Sequence, residues 1–131
     1  MKQIDLSEGY PVKNFKQSTK RYCQTLDLRD NPELIEAYRK LHSPEGVWPE
    51  VLQGIRTVGI LEMEIYLLGT RLFMIVELPA NVDWTTAMQR LSTLPKQATW
   101  EELTARYQQA DPSSASAEKW QLMERIFHLY E

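Results

Sequence analysis

Leu61-Glu62-Met63-Glu64-Ile65-Tyr66-Leu67 and Leu72-Phe73-Met74-Ile75-Val76-Glu77 are two runs of strand-forming residues separated by Leu68-Gly69-Thr70-Arg71. Such runs on either side of a short glycine-bearing turn predict a β-hairpin from about Ile60 to Leu78, ended by Pro79. Upstream, Arg21-Tyr22-Cys23-Gln24-Thr25-Leu26-Asp27-Leu28 predicts a first strand over Lys20–Leu28, and Asn31-Pro32 a helix start. Leu34, Ile35, Tyr38, Leu41 and His42 then keep helical spacing. Pro44 and Gly46 break the turn, and a second helical piece is expected from Trp48 through Ile55, closing near Gly59. Downstream of the hairpin, Asp83 can cap a helix carrying Trp84, Ala87, Met88 and Leu91, and a further helix from about Gln97 to Gln109 carries Trp100, Leu103 and Tyr107. Asp111-Pro112-Ser113-Ser114-Ala115-Ser116 reads as a loop and Met123–Tyr130 as a final strand. The order β, α, β, β, α, β is the ferredoxin-like split βαβ plan: an α+β fold with an antiparallel sheet and helices on one face. Residues 1–19 carry no sustained period and are expected to form an arm laid on this domain, which spans residues 20–131.

At 131 residues, with 43% apolar and 25% charged residues, the chain has the make-up of one ordinary globular domain with a core of useful size. A net charge of -3 and a pI near 5.5 argue against a nucleic-acid surface, which needs a basic stripe. No apolar run approaches the roughly 20 residues that span a membrane, and the acidic, broken N-terminus does not read as a signal peptide. The single cysteine, Cys23, excludes an internal disulfide and a cysteine-based zinc site. It sits in a strand-like run where a buried, inert thiol is expected. These features fit a reducing compartment, and the expected location is the cytoplasm.

Chemistry concentrates in Tyr38-Arg39-Lys40-Leu41-His42-Ser43-Pro44-Glu45-Gly46-Val47-Trp48-Pro49-Glu50. Tyr38 and His42 are four apart and share one helix face, with Trp48 just past the break. That arrangement suggests a pocket wall ending in the side chain whose charge changes most easily near neutral pH. A histidine at a helix end can equally be a partner of the helix dipole or a structural residue. In the first hairpin arm Leu61, Met63, Ile65 and Leu67 point one way and Glu62, Glu64 and Tyr66 the other. Alternation in the last strand sets His128 on the same side as Glu62, Glu64 and Tyr66. Such a polar face can be simply wet. Ile60, Leu68, Ile126 and Tyr130 would also expose apolar area there, however, unless a second sheet covers it. A two-fold homodimer packed sheet to sheet would cover it and leave a polar cavity in each half, so the pocket is expected on this face.

The chain resembles the L-rhamnose mutarotase family, which includes L-fucose mutarotases of the same type. The resemblance runs from about Arg21 to Tyr130. It rests on Tyr38-x3-His42 followed by Trp48-Pro49-Glu50, on Ile65-Tyr66-Leu67, on Trp100, and on Ile126-Phe127-His128-Leu129. It implies a ferredoxin-like dimeric α/β barrel that interconverts the α and β anomers of 6-deoxy-L-sugars without a metal or cofactor. By position, Tyr38 and His42 match the family's residues thought to act on the sugar, and Tyr66 and Trp100 match pocket residues. The chain departs from the rhamnose enzymes in having Thr99-Trp100 where two adjacent tryptophans are usual, in a shorter-looking hairpin turn, and in its N-terminal arm. The Tyr-Leu-Leu-Gly stretch leans toward the fucose-type branch.

Mutarotation needs a base for the anomeric hydroxyl proton and an acid for the ring oxygen. His42 is the expected base, and Tyr38, with its high intrinsic pKa, the better donor. Trp48 or Trp100 can stack on the apolar face that includes the 6-methyl group. Glu62, Glu64 and His128 are expected partners for sugar hydroxyls, although the two glutamates can also be exposed strand charges. Two other readings compete. One is a dimeric ferredoxin-like barrel that binds haem or a small aromatic ligand through a helix-borne histidine. The other is a regulatory domain that binds a ligand without exchanging anomers.

Overall fold

The computed structural model describes residues 5–109 and 119–130. A 3-10 turn at Leu6–Glu8 leads through an extended arm into strand β1 (Thr19–Asp27), followed by helices α1 (Pro32–Leu41) and α2 (Pro49–Thr57). Strands β2 (Glu62–Leu68) and β3 (Arg71–Pro79), helices α3 (Trp84–Leu91) and α4 (Gln97–Ala105), and a two-residue strand β4 (Gln121–Leu122) complete the described chain. The sheet is antiparallel in the order β2-β3-β1-β4. β3 thus lies between β1 and β2, as the split βαβ plan requires, and the architecture is mixed α+β.

Local signals set most of these boundaries. Asn31 Oδ1 accepts from the amides of Glu33 and Leu34, so α1 begins with a capped first turn and Pro32 at its start. Asp83 caps α3 by accepting from the Thr86 amide. Leu68 pairs with Arg71 across the two-residue turn Gly69-Thr70, and Gly69 takes a φ of +61°, the geometry that a II′ hairpin turn asks of its first central residue. Between α1 and α2 the chain doubles back so closely that a Cβ on Gly46 would lie 2.2 Å from the Lys40 carbonyl oxygen. Glycine is therefore required at the break that follows His42.

Alternation along β3 buries Leu72, Met74, Val76 and Leu78 toward the helices. Leu26 and Leu28 at the end of β1, Val58 and Ile60 after α2, Ala87, Met88 and Leu91 of α3, and Trp120 close the same core. Met63, Ile65 and Leu67 pack against it from β2, on the side expected of them. The arm runs over the opposite face, where the Tyr10 ring meets the Tyr66 ring edge-on at 5.6 Å.

Three expectations need correction. Ile60 is buried in the core and does not add to an uncovered sheet face. Cys23 is free, as expected, but only partly buried, because it points to the face away from the helices. The final strand expected over Met123–Tyr130 does not form there; the last strand is Gln121–Leu122, just before it, with one further backbone bond from Met123 N to Cys23 O. Beyond that bond the tail leaves the sheet, because Ile126, Phe127, Leu129 and Tyr130 place apolar groups on both of its sides and one chain offers nothing to bury both. All four are at least 74% exposed. The loop expected at residues 111–116 lies outside the described residues.

Candidate active site

A cavity of about 400 Å³ lies between the helix layer and the inner face of the sheet, within the size range of small-molecule sites. This cavity is on the helix side; the outer polar face, where strand alternation places the pocket, carries a second and smaller one of about 120 Å³. α1 delivers Tyr38 and its C-terminal cap His42, α2 delivers Val51, Leu52 and Ile55, and β2 and β3 deliver Met63, Ile65, Met74 and Val76. α4 contributes Gln97, Trp100, Glu101 and Thr104. The four-residue spacing brings the Tyr38 and His42 rings to 4.2 Å, and the Trp100 ring stands edge-on to His42 at 5.4 Å.

His42 Nδ1 lies 2.8 Å from the Tyr38 carbonyl oxygen. A carbonyl only accepts, so this bond fixes the proton on Nδ1 and leaves Nε2 as the nitrogen with a lone pair. Burial lowers the imidazole pKa from its usual 6.5, against a smaller upward effect of that backbone bond, so His42 is neutral at pH 7. Burial acts on Tyr38 in the opposite sense. It pushes the phenol up to about 12, with the Glu101 charge adding to the rise and a hydrogen bond from Gln108 opposing it. The cavity therefore holds a neutral base one helical turn from a phenol that keeps its proton, which is how an acid–base pair divides its roles.

Sequence reasoning missed a set of buried polar side chains. Lys119 Nζ, almost wholly buried, donates to the Glu101 carbonyl at 2.9 Å and to Thr104 Oγ1 at 3.3 Å, and pairs with Glu101 Oε2 at 3.1 Å. Gln97 Nε2 donates to Glu101 Oε1 at 2.5 Å. Gln108 Nε2 donates to Tyr38 Oη at 3.2 Å, and the segment carrying it is held against the end of β1 by Arg29 N to Tyr107 O and Gln109 N to Asp27 O. The signal available was the spacing 97, 100, 101, 104, 108, which is one helical stripe filled mostly with polar residues.

The other expected site residues divide. Trp48 is not among the residues lining the cavity; its ring meets Trp100 edge-on at 5.2 Å. Glu62 lines both this cavity and the smaller one on the outer face. Glu64 and Tyr66 belong to the outer one alone, together with Pro11, Val12, Lys13 and Phe15 of the arm. There Tyr66 Oη donates to Glu64 Oε2 at 3.1 Å, and the Tyr66 pKa is raised, by desolvation first and then by this carboxylate. His128 sits in the exposed tail with Nδ1 against the Tyr130 carbonyl, away from both. Within one chain the structure thus joins Tyr38, His42 and Trp100, and separates them from Glu64, Tyr66 and His128. Among the described residues no cluster of three His, Cys, Asp or Glu side chains could hold a metal ion, and no helix is long and apolar enough to cross a membrane.

Comparison with known proteins gives consistent relatives. The chain is 40% identical over 114 residues to an L-fucose mutarotase of Xanthomonas campestris pv. campestris, covering 87% of this chain and 91% of that protein. It is also 40% identical over 114 residues to a UPF0734 protein of Dictyostelium discoideum, covering 84% of this chain and 90% of the other. The fold matches the crystal structure of an L-rhamnose mutarotase from Formosa agariphila with a TM-score of 0.63 at 18% identity, over 85% of this chain and 99% of that one. With the family model described as L-rhamnose mutarotase matching residues 21–129, nearly the whole of the sheet-and-helix unit that holds the cavity, the chain belongs to the L-rhamnose mutarotase family.

Proposed function

We propose that the protein is a sugar mutarotase that interconverts the α and β anomers of a 6-deoxy-L-hexose, L-fucose or L-rhamnose, with His42 as base and Tyr38 as acid. The observation that carries this is the pairing, in one small cavity, of a neutral imidazole with a free Nε2 lone pair and a phenol held protonated. His42 Nε2 takes the proton from the anomeric hydroxyl. The C1–O5 bond breaks as O1 becomes a carbonyl oxygen, and Tyr38 gives its proton to O5. The aldehyde turns about C1–C2, O5 attacks its other face, and each proton returns to the group that gave it. Burial disfavours both the imidazolium and the phenolate, so the charged intermediate state is short-lived and the ring recloses readily. Nothing is consumed.

The 40% identity to a protein named L-fucose mutarotase supports the 6-deoxy sugar. So do the apolar lining residues Trp100, Met63 and Ile65, which suit a methyl better than a hydroxymethyl group. The reading extends to a homodimer, supported by the exposed apolar tail, and to the cytoplasm, supported by the acidic, single-cysteine composition. The haem or aromatic-ligand reading is not favoured, because the family is one of sugar mutarotases and the cavity lining carries carboxamides and a carboxylate. Saturation transfer between the anomeric protons of L-fucose and of L-rhamnose tests the proposal. Added protein should speed exchange of at least one above the buffer rate and act more slowly on D-glucose. No acceleration with either 6-deoxy sugar would remove it.

A further inference from the structure

We propose that the Gln24 carboxamide, set on the sheet floor of the cavity whose helix side carries Tyr38 and His42, binds a substrate hydroxyl other than the anomeric one and so helps to select the sugar. This rests on the mutarotase reading and adds a specificity residue to it. Gln24 lines the cavity and is 4% exposed. Its side chain makes no hydrogen bond among the described residues. The fully enclosed side-chain atoms without a partner there are Gln97 Oε1 and Gln108 Oε1, which present no surface that a ligand could touch, and neither end of the Gln24 amide is among them. Both ends of that amide therefore keep accessible surface, and the space beside the residue is the cavity. A buried polar side chain without a protein partner is rare, and one that opens into a cavity points to a ligand that bonds to it.

Strand pairing fixes the position. Gln24 lies between Met74 of β3 and Leu122 of β4, and Met74 pairs in turn with Ile65 of β2. Along β1, Gln24 alternates inward with Leu26. The inward-facing strand residues that line the cavity are Met63, Ile65, Met74, Val76 and Gln24, so this floor offers one carboxamide in an otherwise apolar setting. A leucine at the same place would extend the core, whereas an amide there costs stability unless something bonds to it. Because both ends are free, the amide can turn either way: Oε1 accepts from a hydroxyl and Nε2 donates to one. Tyr38 and His42 act at O5 and at the anomeric hydroxyl in the proposed reaction, so the hydroxyl left for the floor of the cavity is the one on C2, C3 or C4 of a 6-deoxyhexose. An amide in this position distinguishes a hydroxyl from a hydrogen, because a deoxy position leaves it buried without a partner.

The test combines Gln24→Met, which keeps the length of the side chain and removes the amide, with sugar analogues. Anomer exchange is measured with the full chain on the faster of L-fucose and L-rhamnose and on its 2-, 3- and 4-deoxy derivatives, each divided by its own buffer rate. Wild type should lose on the order of 10- to 100-fold in kcat/KM with the analogue that lacks the hydroxyl bound by Gln24. Gln24→Met should show a loss of that size with the parent sugar and no further loss with that one analogue. Because the amide has no partner within the protein, the thermal midpoint of the variant should equal or exceed that of wild type. If Gln24→Met does not fold by circular dichroism, Gln24→Leu carries the same comparison, and failure of both to fold overturns the proposal, since the amide would then be bonded within the protein. Exchange of the parent sugar by a folded variant at the wild-type kcat/KM overturns it, and so do equal further losses with all three analogues, which would show a general effect on the cavity. Absence of exchange by wild type with either parent sugar removes the mutarotase reading and this inference together, whereas exchange without coupling to Gln24 removes this inference alone.

Discussion

His42→Asn separates what the histidine does for the helix from what it does for a proton. As the C-terminal cap of α1, the ring contributes one hydrogen bond, Nδ1 to the Tyr38 carbonyl at 2.8 Å, worth about 0.5 to 1.5 kcal/mol. A favourable interaction with the helix dipole would require an imidazolium, and burial keeps the ring neutral at pH 7, so that contribution does not add. Asparagine can place an amide N–H near the same carbonyl and recover part of this bond, but it has no basic lone pair. If His42 is the base, its loss should raise the barrier by about 3 to 5 kcal/mol, the equivalent of a 10²- to 10⁴-fold fall in rate. The chemical effect therefore exceeds the structural one severalfold. Circular dichroism and thermal unfolding report the structural part, and saturation transfer on L-fucose reports the rate. His42→Ala should give the same loss of rate with a slightly larger loss of stability. A folded His42→Asn variant that exchanges anomers at the wild-type rate would refute the reasoning. His128, exposed in the tail, would then be the next histidine to replace.

Tyr38→Phe keeps the ring packed on His42 and Tyr107 but leaves the buried Gln108 amide without its acceptor. It should lower the rate less than His42→Asn does and cost about 1 to 3 kcal/mol in denaturant unfolding. In pH dependence, the active form of His42 is the neutral one and its pKa is lowered from 6.5, so the buffer-corrected rate should hold through neutrality and fall only on the acid side, with a midpoint below 6.5. Tyr38 keeps its proton up to about 12, so no alkaline fall should appear between pH 7 and 9, and an acid midpoint above 6.5 would contradict the buried-base assignment. Lys119→Met removes one member of a buried ion pair; the expected loss is about 3 to 5 kcal/mol in urea or guanidinium unfolding, and a loss below 1 kcal/mol would show the pair to be solvated. Deleting residues 124–131 should turn a dimer into a monomer by light scattering, and a monodisperse wild-type monomer at micromolar concentration would count against the dimer.

The fold was legible where short-range chemistry sets the boundaries. Asn31-Pro32 and Asp83 cap their helices, Gly69 makes the turn, and the alternation of β3 admits one inward face. The sequence was silent on which side of the sheet the ligand lies. Glu62, Glu64 and Tyr66 alternate outward as expected, but polar residues on an outer face need only water or a covering segment, and here the arm lies over them. The larger cavity arises on the helix side because the side chains there do not fill the space between the layers. The tail shows the complementary limit: a run with strand composition forms a strand only where an edge is available to pair with it, and within one chain that edge serves only Gln121 and Leu122.

α4 shows why the site was only half legible. An apolar stripe through Trp100, Leu103 and Tyr107 predicts the inward face of an ordinary core helix, yet Leu103 and Tyr107 are only partly buried. Gln97, Glu101, Thr104 and Ala105 face inward with Trp100, and Gln108 is buried just past the helix end. The buried face is thus rotated toward the polar side, the reverse of what transfer of apolar area from water would select. That rotation is tolerable because Lys119, 15 residues further along the chain than Thr104, brings a charge to Glu101, and because Glu101 and Tyr38 accept from the Gln97 and Gln108 amides. A helix in a solid core would gain nothing from such an arrangement. A helix that walls a cavity gains fixed polar groups at set positions, which is what the proposed sugar site would use.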